Sequence, residues 1–270
     1  MNYSDDDIEK LLRAIYDGSV SPTKLQSALY RAIGNYLFEG VAKGVTSDIK
    51  FGLPDLDLVV KLRENVYMFS AAKTFHQTLE MSDALVNSNG ELRNFKSFKS
   101  EAEQIFVKYN GGTIDGIVKP GWLEAEYNTA IAQAANAKKW DDIETHKSLF
   151  PYVRYNAKGE ACTICRHFNG LVFRVGDPNL KKYAPLNHFN CNCLLEQMEA
   201  EEGANDMSSE KEIAKAISRA NVPDTFKFNP GAEKEIFSTS GESKHPYFTV
   251  PKQYEKLAKN NFNLRIPNEK

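Results

Sequence analysis

The sequence lacks the features that place a chain in a membrane or on DNA by charge alone. It has no run of about 18 apolar residues, the length that a membrane-spanning helix needs. Its 34 Lys and Arg residues nearly balance 36 Asp and Glu residues, which gives a formal net charge of -2. A protein that binds DNA by charge would need a basic face to displace counterions from phosphates; the net charge argues against this but leaves a local basic patch open. Residues 1–7 are acidic, without the basic and then apolar pattern of a signal peptide, so we expect synthesis in a cytoplasm.

Cysteine is also scarce, and its distribution is uneven. The chain has four cysteines in 270 residues, and all of them lie between Cys162 and Cys193. Clustered cysteines without a secretion signal favour a metal site over a disulfide framework. The remaining composition, 41% hydrophobic and 26% charged, is typical of globular proteins and predicts one large domain or two ordinary ones.

Most of the chain before residue 148 has the apolar period of amphipathic helices. The predicted helices are Asp5–Tyr16 with Ser4 as N-cap, a helix from Ser21-Pro22 to about Gly44 with Leu25, Leu29, Ile33 and Leu37 inward, Leu56–Leu85, Ser97–Tyr109, and the alanine-rich Trp122–Trp140. Residues 45–54 are expected to be a loop, as is Asn110-Gly111-Gly112-Thr113, which lacks the lysine and the context of a phosphate-binding loop.

Within the helices, three polar residues need an interpretation. His76 has no ligand partner at a suitable spacing, so we interpret it as a packing or surface histidine. Glu124 and Glu126 point to different faces of a helix and cannot form an acid/base pair there. Glu124 is expected to be solvated. Because small alanines surround Glu126, we predict that it is buried against the cysteine-containing stretch.

That stretch, from Phe150 to Leu195, carries a pattern typical of metal knuckles. Two β-prone runs, Tyr152–Tyr155 and Leu171–Val175, lie on either side of C-x2-C and an Asn-Gly turn. About 22 residues after the C-x2-C pair comes H-x2-C-x-C. The five candidate ligands are Cys162, Cys165, His188, Cys191 and Cys193. Thiolates and imidazole together favour Zn²⁺, which normally takes four such ligands.

Three interpretations of these residues compete. The first is a structural zinc on Cys162, Cys165 and two of the other three, with His167 as an alternative ligand. The second is a set of reduced, buried cysteines with a hydrogen-bonded His188, and the third is one or two disulfides. A catalytic zinc would need an open position and a general base, and the stretch offers only Glu160 and Asp177, neither at a motif spacing. A nucleophilic cysteine with His188 lacks an oxyanion-hole signature.

After residue 198 the pattern becomes irregular. Residues 199–212 are acidic and small and are predicted to be a linker. A short helix at 212–220, a strand-turn-strand at 226–237, an extended run at 245–251 and a last helical turn or two at 254–260 are expected to follow. His245 is expected to pack beside its proline. This remainder is either a docking tail or a subdomain packed on its own chain.

The predicted fold class is therefore α+β, a mostly helical body with a small cysteine-pinned β module and an irregular C-terminal subdomain. The segments are an N-terminal helical segment (1–54), a helical body (55–148), the Cys/His β module (149–198), an acidic linker (199–212), and a C-terminal tail or small subdomain (213–270).

Taken in order, several pieces of the chain resemble the Mu F-like minor head proteins of tailed bacteriophages, also called phage head morphogenesis proteins. The matching pieces are Ala71-Ala72-Lys73, Phe95-Lys96-Ser97-Phe98, Trp122 to Ala130, Ala132-Gln133-Ala134, Trp140, Phe150-Pro151-Tyr152, Tyr155, Cys162-x2-Cys165, Phe168 to Leu171, Pro185-Leu186-Asn187-His188 and Cys191-Asn192-Cys193. In the family the last piece is typically Cys-Arg-Cys, and here Asn192 replaces the arginine. The resemblance covers roughly residues 55–198.

The resemblance implies a low-copy, non-enzymatic structural protein of a phage or prophage head. Its expected partners are the portal protein and other head proteins, either major capsid or scaffold, with packaged DNA as a further candidate and no membrane. Its expected place is the virion, after synthesis in the cytoplasm of a bacterial host. Two alternatives remain: a zinc-knuckle nucleic-acid-binding protein, supported by Arg154, Arg166, Arg174, Lys181 and Lys182, and a zinc-dependent hydrolase.

Overall fold

Helices dominate the protein. The computed structural model describes residues 1, 3–24, 26–46, 55–158 and 162–256. The helices are α1 (Asp5–Tyr16), α2 (Ser27–Thr46), α3 (Leu56–Asp83), α4 (Phe95–Asn110), α5 (Trp122–His146), α6 (Leu180–Tyr183), α7 (Ala200–Asn205), α8 (Glu210–Ala220) and α9 (Pro230–Glu233). The strands are β1 (Gly112–Ile114), β2 (Ile117–Lys119), β3 (Tyr152–Asn156), β4 (Val172–Arg174) and β5 (Leu194–Met198). This architecture confirms the predicted α+β class with a mostly helical body.

The predicted start of α1 is confirmed in detail. Ser4 Oγ accepts the Asp7 N–H at 3.2 Å, and Asp7 Oδ2 accepts the Ser4 N–H at 3.0 Å, which forms a capping box. Leu11, Leu12 and Ile15 are buried, as their spacing predicts. Within the described residues, no helix combines the length and apolar character that a membrane span requires.

The start of α2 differs from the prediction. Ser21 does not cap a helix; residues Ser21–Lys24 form a turn in which the Lys24 N–H donates to Ser21 O at 2.9 Å. The helix begins at Ser27, after Gln26, whose Oε1 accepts the Leu29 N–H at 2.5 Å. Leu29, Ile33 and Leu37 are buried, whereas Leu25 and residues 47–54 of the predicted loop lie outside the described residues.

A β-hairpin replaces part of the loop that the sequence predicted at the adjacent glycines. Strands β1 and β2 pair antiparallel, with Ile114 opposite Ile117. The two residues between them, Asp115 and Gly116, have φ angles of 51° and 76°. Two successive positive φ values are the geometry of the type I′ turn that Asp-Gly favours.

The chain divides into two compact units, whose boundaries fall within α2, α3 and α5 and between Pro246 and Tyr247. Unit 1 is Met1–Glu39, Glu64–Tyr127 and Tyr247–Lys270. In it, α1 packs on α4: the Tyr16 ring meets Phe95 and Phe98 at centroid distances of 5.3 and 5.6 Å. Lys99 Nζ also lies 2.6 Å from Glu9 Oε2. The core of this unit is therefore a helix-on-helix packing.

Unit 2 is Gly40–Arg63 and Asn128–Pro246, and it contains the three-stranded sheet. The strand order is β4-β3-β5, all antiparallel. Trp140 and Ile143 of α5 and Ile213 and Ala216 of α8 belong to the same apolar core as the inward residues of the sheet. The prediction of strands at Tyr152–Tyr155 and Leu171–Val175 is confirmed to within a residue or two, whereas β5 was not predicted.

The acidic segment 199–212, predicted to be a linker, contains α7 and the first turn of α8. Two of its carboxylates are paired with the sheet, because Arg154 of β3 lies 3.1 Å from Glu202 and 2.7 Å from Asp206. Gly203 permits α7 to lie close to Tyr152 of β3, since a Cβ at position 203 would lie 2.4 Å from the Tyr152 side chain. The five-segment division of the chain remains a prediction.

The predicted strand-turn-strand after residue 225 is wrong. Residues Asp224–Phe226 form a 3₁₀ turn and α9 follows, because Asn229 Oδ1 caps that helix by accepting the N–H groups of Gly231 and Ala232. The predicted extended run is interrupted by a 3₁₀ turn at Pro246–Phe248. Tyr247 and Tyr254 pack on Phe69 and Phe75 of α3, so this part of the remainder packs on its own chain. Residues 257–260 lie outside the described residues.

Candidate metal centre

The pairing of β3 with β5 explains why the cysteines meet. Asn156, the last residue of β3, pairs with Leu194, the first residue of β5. The chain that leaves β3 carries Cys162 and Cys165, and the chain that enters β5 carries Cys191 and Cys193. Because antiparallel partners run in opposite directions, both segments lie at the same end of the sheet.

All five predicted ligand residues lie in this cluster. Cys162 Sγ is 3.0 Å from His188 Nε2, and Cys165 Sγ is 3.6 Å from Cys191 Sγ. The ligand atoms fall into two groups, each within 4.8 Å: Cys162, Cys165 and His188, and Cys165, Cys191 and Cys193. Cys165 is common to both groups and lies at the start of a 3₁₀ turn, Cys165–His167.

Backbone amides point at the sulfur atoms, an arrangement that favours thiolates. The Cys165 N–H donates to Cys162 Sγ at 3.1 Å. The backbone N–H groups of Cys193 and Asn187 act to lower the pKa of Cys191, and that of Lys158 acts to lower the pKa of Cys193. On the histidine, Nδ1 lies 2.7 Å from Phe189 O, so a neutral ring that donates there presents Nε2 as the acceptor or ligand atom.

Three thiols in contact cannot all ionise without a counter-charge. Hydrogen bonds from Cys165 and Cys191 lower the pKa of Cys193 to about 3. Hydrogen bonding to Cys191 and Cys193, followed by burial, raises the pKa of Cys165 well above its usual range. For Cys191, the hydrogen bond with Cys165 lowers the pKa, whereas the hydrogen bond with Cys193 and burial raise it, and the result is a pKa of about 11. One thiolate therefore forms easily, and a second and a third need a cation.

These residues fit a zinc ion in chemistry and in the spacing of one pair of sulfurs. Tetrahedral ligands at a Zn–S distance of about 2.3 Å place two sulfurs about 3.8 Å apart, and the Cys165–Cys191 separation is 3.6 Å. Soft thiolates with one imidazole are the donor set that Zn²⁺ prefers. Since the two groups of ligand atoms share Cys165 alone, a four-ligand site needs a side-chain rotation by at least one member.

Buried aromatic and polar side chains pack around the cysteine cluster. Tyr155 of β3 is fully buried, lies beside Cys165, and accepts a hydrogen bond at its OH from Asn187 Nδ2 at 2.9 Å. The Phe168 ring packs between Tyr155 and Tyr183 at centroid distances of 5.3 and 5.9 Å. Cys165, Cys191 and Cys193 are themselves at most 2% exposed. This burial is typical of a structural site and unlike a site that admits a substrate.

The other candidate residues have different surroundings. His167 lies in the 3₁₀ turn but belongs to neither group of ligand atoms, and Asp177 Oδ1 accepts hydrogen bonds from the backbone and side chain of Asn179. Glu160 lies outside the described residues. Of the basic residues near the knuckle, Arg154 pairs with Glu202 and Asp206, and Lys182 lies 3.4 Å from Glu242.

Unit 1 contains a second buried polar cluster. Lys73 Nζ lies 2.6 Å from Glu126 Oε2 and donates to Tyr109 O at 2.8 Å. Tyr247 also hydrogen-bonds to Glu126, and its ring lies 5.7 Å from Lys73 Nζ. Burial raises the pKa of Glu126 and lowers the pKa of Lys73, and in each case the opposite charge counteracts the change.

The predicted burial of Glu126 is confirmed, since the residue is 3% exposed. The prediction named the cysteine module as its neighbour, whereas its hydrogen-bond partners are Lys73 and Tyr247. Glu124 is exposed, as expected. His76 packs, as expected: its Nε2 lies 2.9 Å from Tyr247 O, and burial lowers its pKa. The His245 ring meets Phe237 edge-on at 5.7 Å.

The spacing of the ligand residues does not assign Tyr155, Asn187 and Lys73 to these clusters. Asn187 precedes His188 directly, and Tyr155 lies at an inward position of a predicted strand, so a signal for both was present. Lys73 offered no spacing signal for its pairing, because its partner Glu126 is 53 residues away.

Comparison with known proteins gives one family. The profile described as phage Mu protein F like protein matches residues 62–196, which is half of the chain and includes all five candidate ligands. A search of curated proteins gave no match, and neither did a search of solved structures.

Proposed function

Since the chain belongs to the phage Mu protein F-like family and is thus a head morphogenesis protein, we propose that it is a minor capsid protein of a tailed phage or prophage. It associates with the portal vertex while the head assembles, and it contributes to DNA packaging or ejection. Its partners are the portal protein and the major capsid or scaffold protein. It is made in the host cytoplasm and retained in the virion. The family match carries this proposal.

The buried character of the cysteine cluster supports a structural role without enzymatic activity. A catalytic zinc keeps one position open for water or substrate. Here three of the four cysteines are buried, and Tyr155, Phe168 and Asn187 pack around them. The family is also a structural one.

The cluster holds a structural zinc ion in this proposal. Four of Cys162, Cys165, His188, Cys191 and Cys193 bind it, and the ion supplies the positive charge that several adjacent thiolates need. Bound there, it ties the β3–β4 connection to the segment that enters β5. The zinc thus stabilises the core of unit 2 in place of additional apolar burial.

A nucleic-acid-binding knuckle is the weaker alternative. It needs free basic residues around the knuckle. Arg154 is committed to Glu202 and Asp206, and Lys182 lies near Glu242, so only Arg166, Arg174 and Lys181 are left to support it. A mobility shift with DNA that weakens as salt rises would revive this alternative.

Co-expression with the portal protein encoded in the same phage or prophage genome tests the proposal. We expect the chain to co-purify with that portal protein and to enter procapsids, and a portal protein from a phage of a different family is the control. Procapsids that assemble without the chain, together with no capture by any head protein, would contradict the proposed role.

A further inference from the structure

Unit 1 has a wide groove that neither the metal cluster nor the buried ion pair uses. Its volume is about 1060 Å³. Residues of α1, α4, the β1–β2 hairpin and the first turn of α5 line it, and the Tyr3 ring stacks on Phe106 at 5.8 Å along it. A groove of this size exceeds what a few water molecules fill and is within the range of binding sites.

The hairpin beside the groove has no buried face of its own. Five of its six strand residues are exposed, and Ile114 is half-buried. Ile117 and Val118 are 62% and 79% exposed. Isolated two-stranded hairpins are marginally stable in water, and the exposed edge of such a hairpin is a template on which another chain can pair.

The groove is also acidic. Two lysines line it, Lys99 and Lys119, against six carboxylates, which are Asp5, Asp6, Glu9, Glu103, Asp115 and Glu124.

Some of these charges are compensated within the chain. Asp6 pairs with Lys10, and Glu9 pairs with Arg13 and Lys99. Glu103 lies 3.7 Å from Lys99, whereas Glu9 lies 2.6 Å from the same lysine. Asp5, Asp115 and Glu124 form no ion pair among the described residues, so the groove retains a negative charge toward solvent.

We propose that this groove binds an extended, lysine- or arginine-rich segment of another head protein, with apolar side chains covering Val118 and the adjoining face of the hairpin. The proposal rests on the proposed function, because it assigns the surface by which the chain meets a partner. Charge complementarity selects the occupant: a basic segment is attracted to the free carboxylates, whereas a nucleic acid is repelled. An extended chain also suits the hairpin, because Thr113 is in a non-hydrogen-bonded pair, so its N–H and C=O point away from β2.

The first test uses a labelled synthetic peptide that alternates lysine and valine, with its glutamate–valine counterpart as control. The purified full chain is titrated against each peptide by fluorescence anisotropy at low and at physiological salt. We expect binding of the lysine peptide alone, weakened by salt. The variant Val118→Ser and the double variant Glu103→Gln/Glu124→Gln should each weaken binding by about fivefold or more.

Matched controls come from the same chain. Leu92→Ser removes a residue of equal exposure, 78%, outside the groove, and Glu101→Gln neutralises a carboxylate of α4 that does not line it. Both should bind the lysine peptide like the unmodified chain, and thermal melts show that every variant is folded. No binding by the unmodified chain, or equal losses in the control variants, would overturn the proposal. Self-association that Val118→Ser abolishes would do so as well, because the occupant would then be a second copy.

The same variants separate this proposal from the function on which it rests. Procapsid incorporation that survives Val118→Ser and Glu103→Gln/Glu124→Gln overturns the groove proposal and leaves the head-assembly role intact. Failure of the unmodified chain to enter procapsids contradicts the role itself, whatever the peptide measurements give.

Discussion

Two buried polar clusters in this chain balance their charge in different ways. In unit 1, Lys73 and Glu126 are opposite charges in direct contact, and Tyr109 O and Tyr247 supply further hydrogen bonds. In unit 2, the cysteine cluster brings together four thiols, which become negative on ionisation, and one imidazole. The first cluster is complete within the chain, whereas the second requires an external cation to ionise fully.

The difference shows what each cluster contributes to folding. A buried ion pair adds little net stability, because desolvation offsets its attraction, but removal of one partner is costly. A metal site contributes its binding energy to folding directly, because the unfolded chain does not preform it. Unit 1 should therefore be insensitive to chelators and sensitive to point substitutions, and unit 2 should be sensitive to both.

The largest expected effect comes from Cys165→Ser, because Cys165 belongs to both groups of ligand atoms. We expect loss of the bound metal. Structural zinc supplies roughly 10 kcal/mol or more in isolated zinc fingers, so unit 2 should lose its cooperative unfolding transition. Metal analysis and circular dichroism during chemical denaturation measure both effects. His167→Ala, in the same 3₁₀ turn but outside both groups, should keep the metal; equal loss in the two variants would remove the special role of Cys165.

Next in size is the replacement of Glu126 by glutamine. Breaking a buried pair from one side costs about 3–5 kcal/mol, and urea denaturation would show it as a lower midpoint. Metal content should not change. The double variant Lys73→Met/Glu126→Leu should recover most of the loss, since neither charge is then left unpaired. If the double variant is as unstable as the single one, the pair is not the cause.

A smaller effect is expected from Gly203→Ala, which tests the packing of unit 2 apart from its metal. A Cβ at this position would lie 2.4 Å from the Tyr152 side chain, and such overpacking typically costs about 1–3 kcal/mol. We expect a lower thermal midpoint with full metal content. Gly176→Ala is a control without a clash, although its φ of 97° adds strain of its own. Loss of metal in Gly203→Ala would mean that the sheet and the cluster are not separable.

The smallest effect concerns the pH dependence of unit 1. Burial lowers the pKa of His76 below its usual value of about 6.5. The unfolded chain then binds a proton more readily than the folded chain, so the free energy of unfolding falls as the pH drops from about 6.5 toward the folded-state pKa. His76→Asn should flatten this part of the profile, measured by urea denaturation at a series of pH values. An unchanged slope would assign the dependence to other groups.

Local signals explain which elements the sequence predicts. The Ser4–Asp7 capping box defines α1 because both partners lie within one turn. The Asp115-Gly116 pair between Ile114 and Ile117 is an equally local signal for a hairpin. The adjacent glycines Gly111 and Gly112 favoured a loop instead, so the hairpin was not predicted. Strand β5, by contrast, has a mixed pattern, Leu-Leu-Glu-Gln-Met, which gains strand character from pairing with β3.

In the candidate site, too, the local features follow from the sequence and the contacts between distant residues do not. The five ligand residues follow from spacing, since thiol and imidazole groups at these intervals suit a tetrahedral ion. Cys165 belongs to both groups of ligand atoms because of the distances between the sulfur atoms in space. The spacing of the cysteines in the sequence does not specify these distances. The Lys73–Glu126 pair depends on how α3 packs on α5, and the two residues are 53 positions apart in sequence. No local pattern around either residue reveals that they form a pair.

Elemental mass spectrometry determines whether the cysteine cluster of unit 2 holds a metal ion. The protein is purified without chelator or affinity nickel, and free thiols are counted on the same sample. We predict about one zinc ion per chain, the stoichiometry of a single four-ligand site, with thiols that become reactive once the metal is removed. A metal-free protein with four reactive thiols, or with disulfides in their place, would contradict the claim that the cluster of unit 2 is completed by a cation.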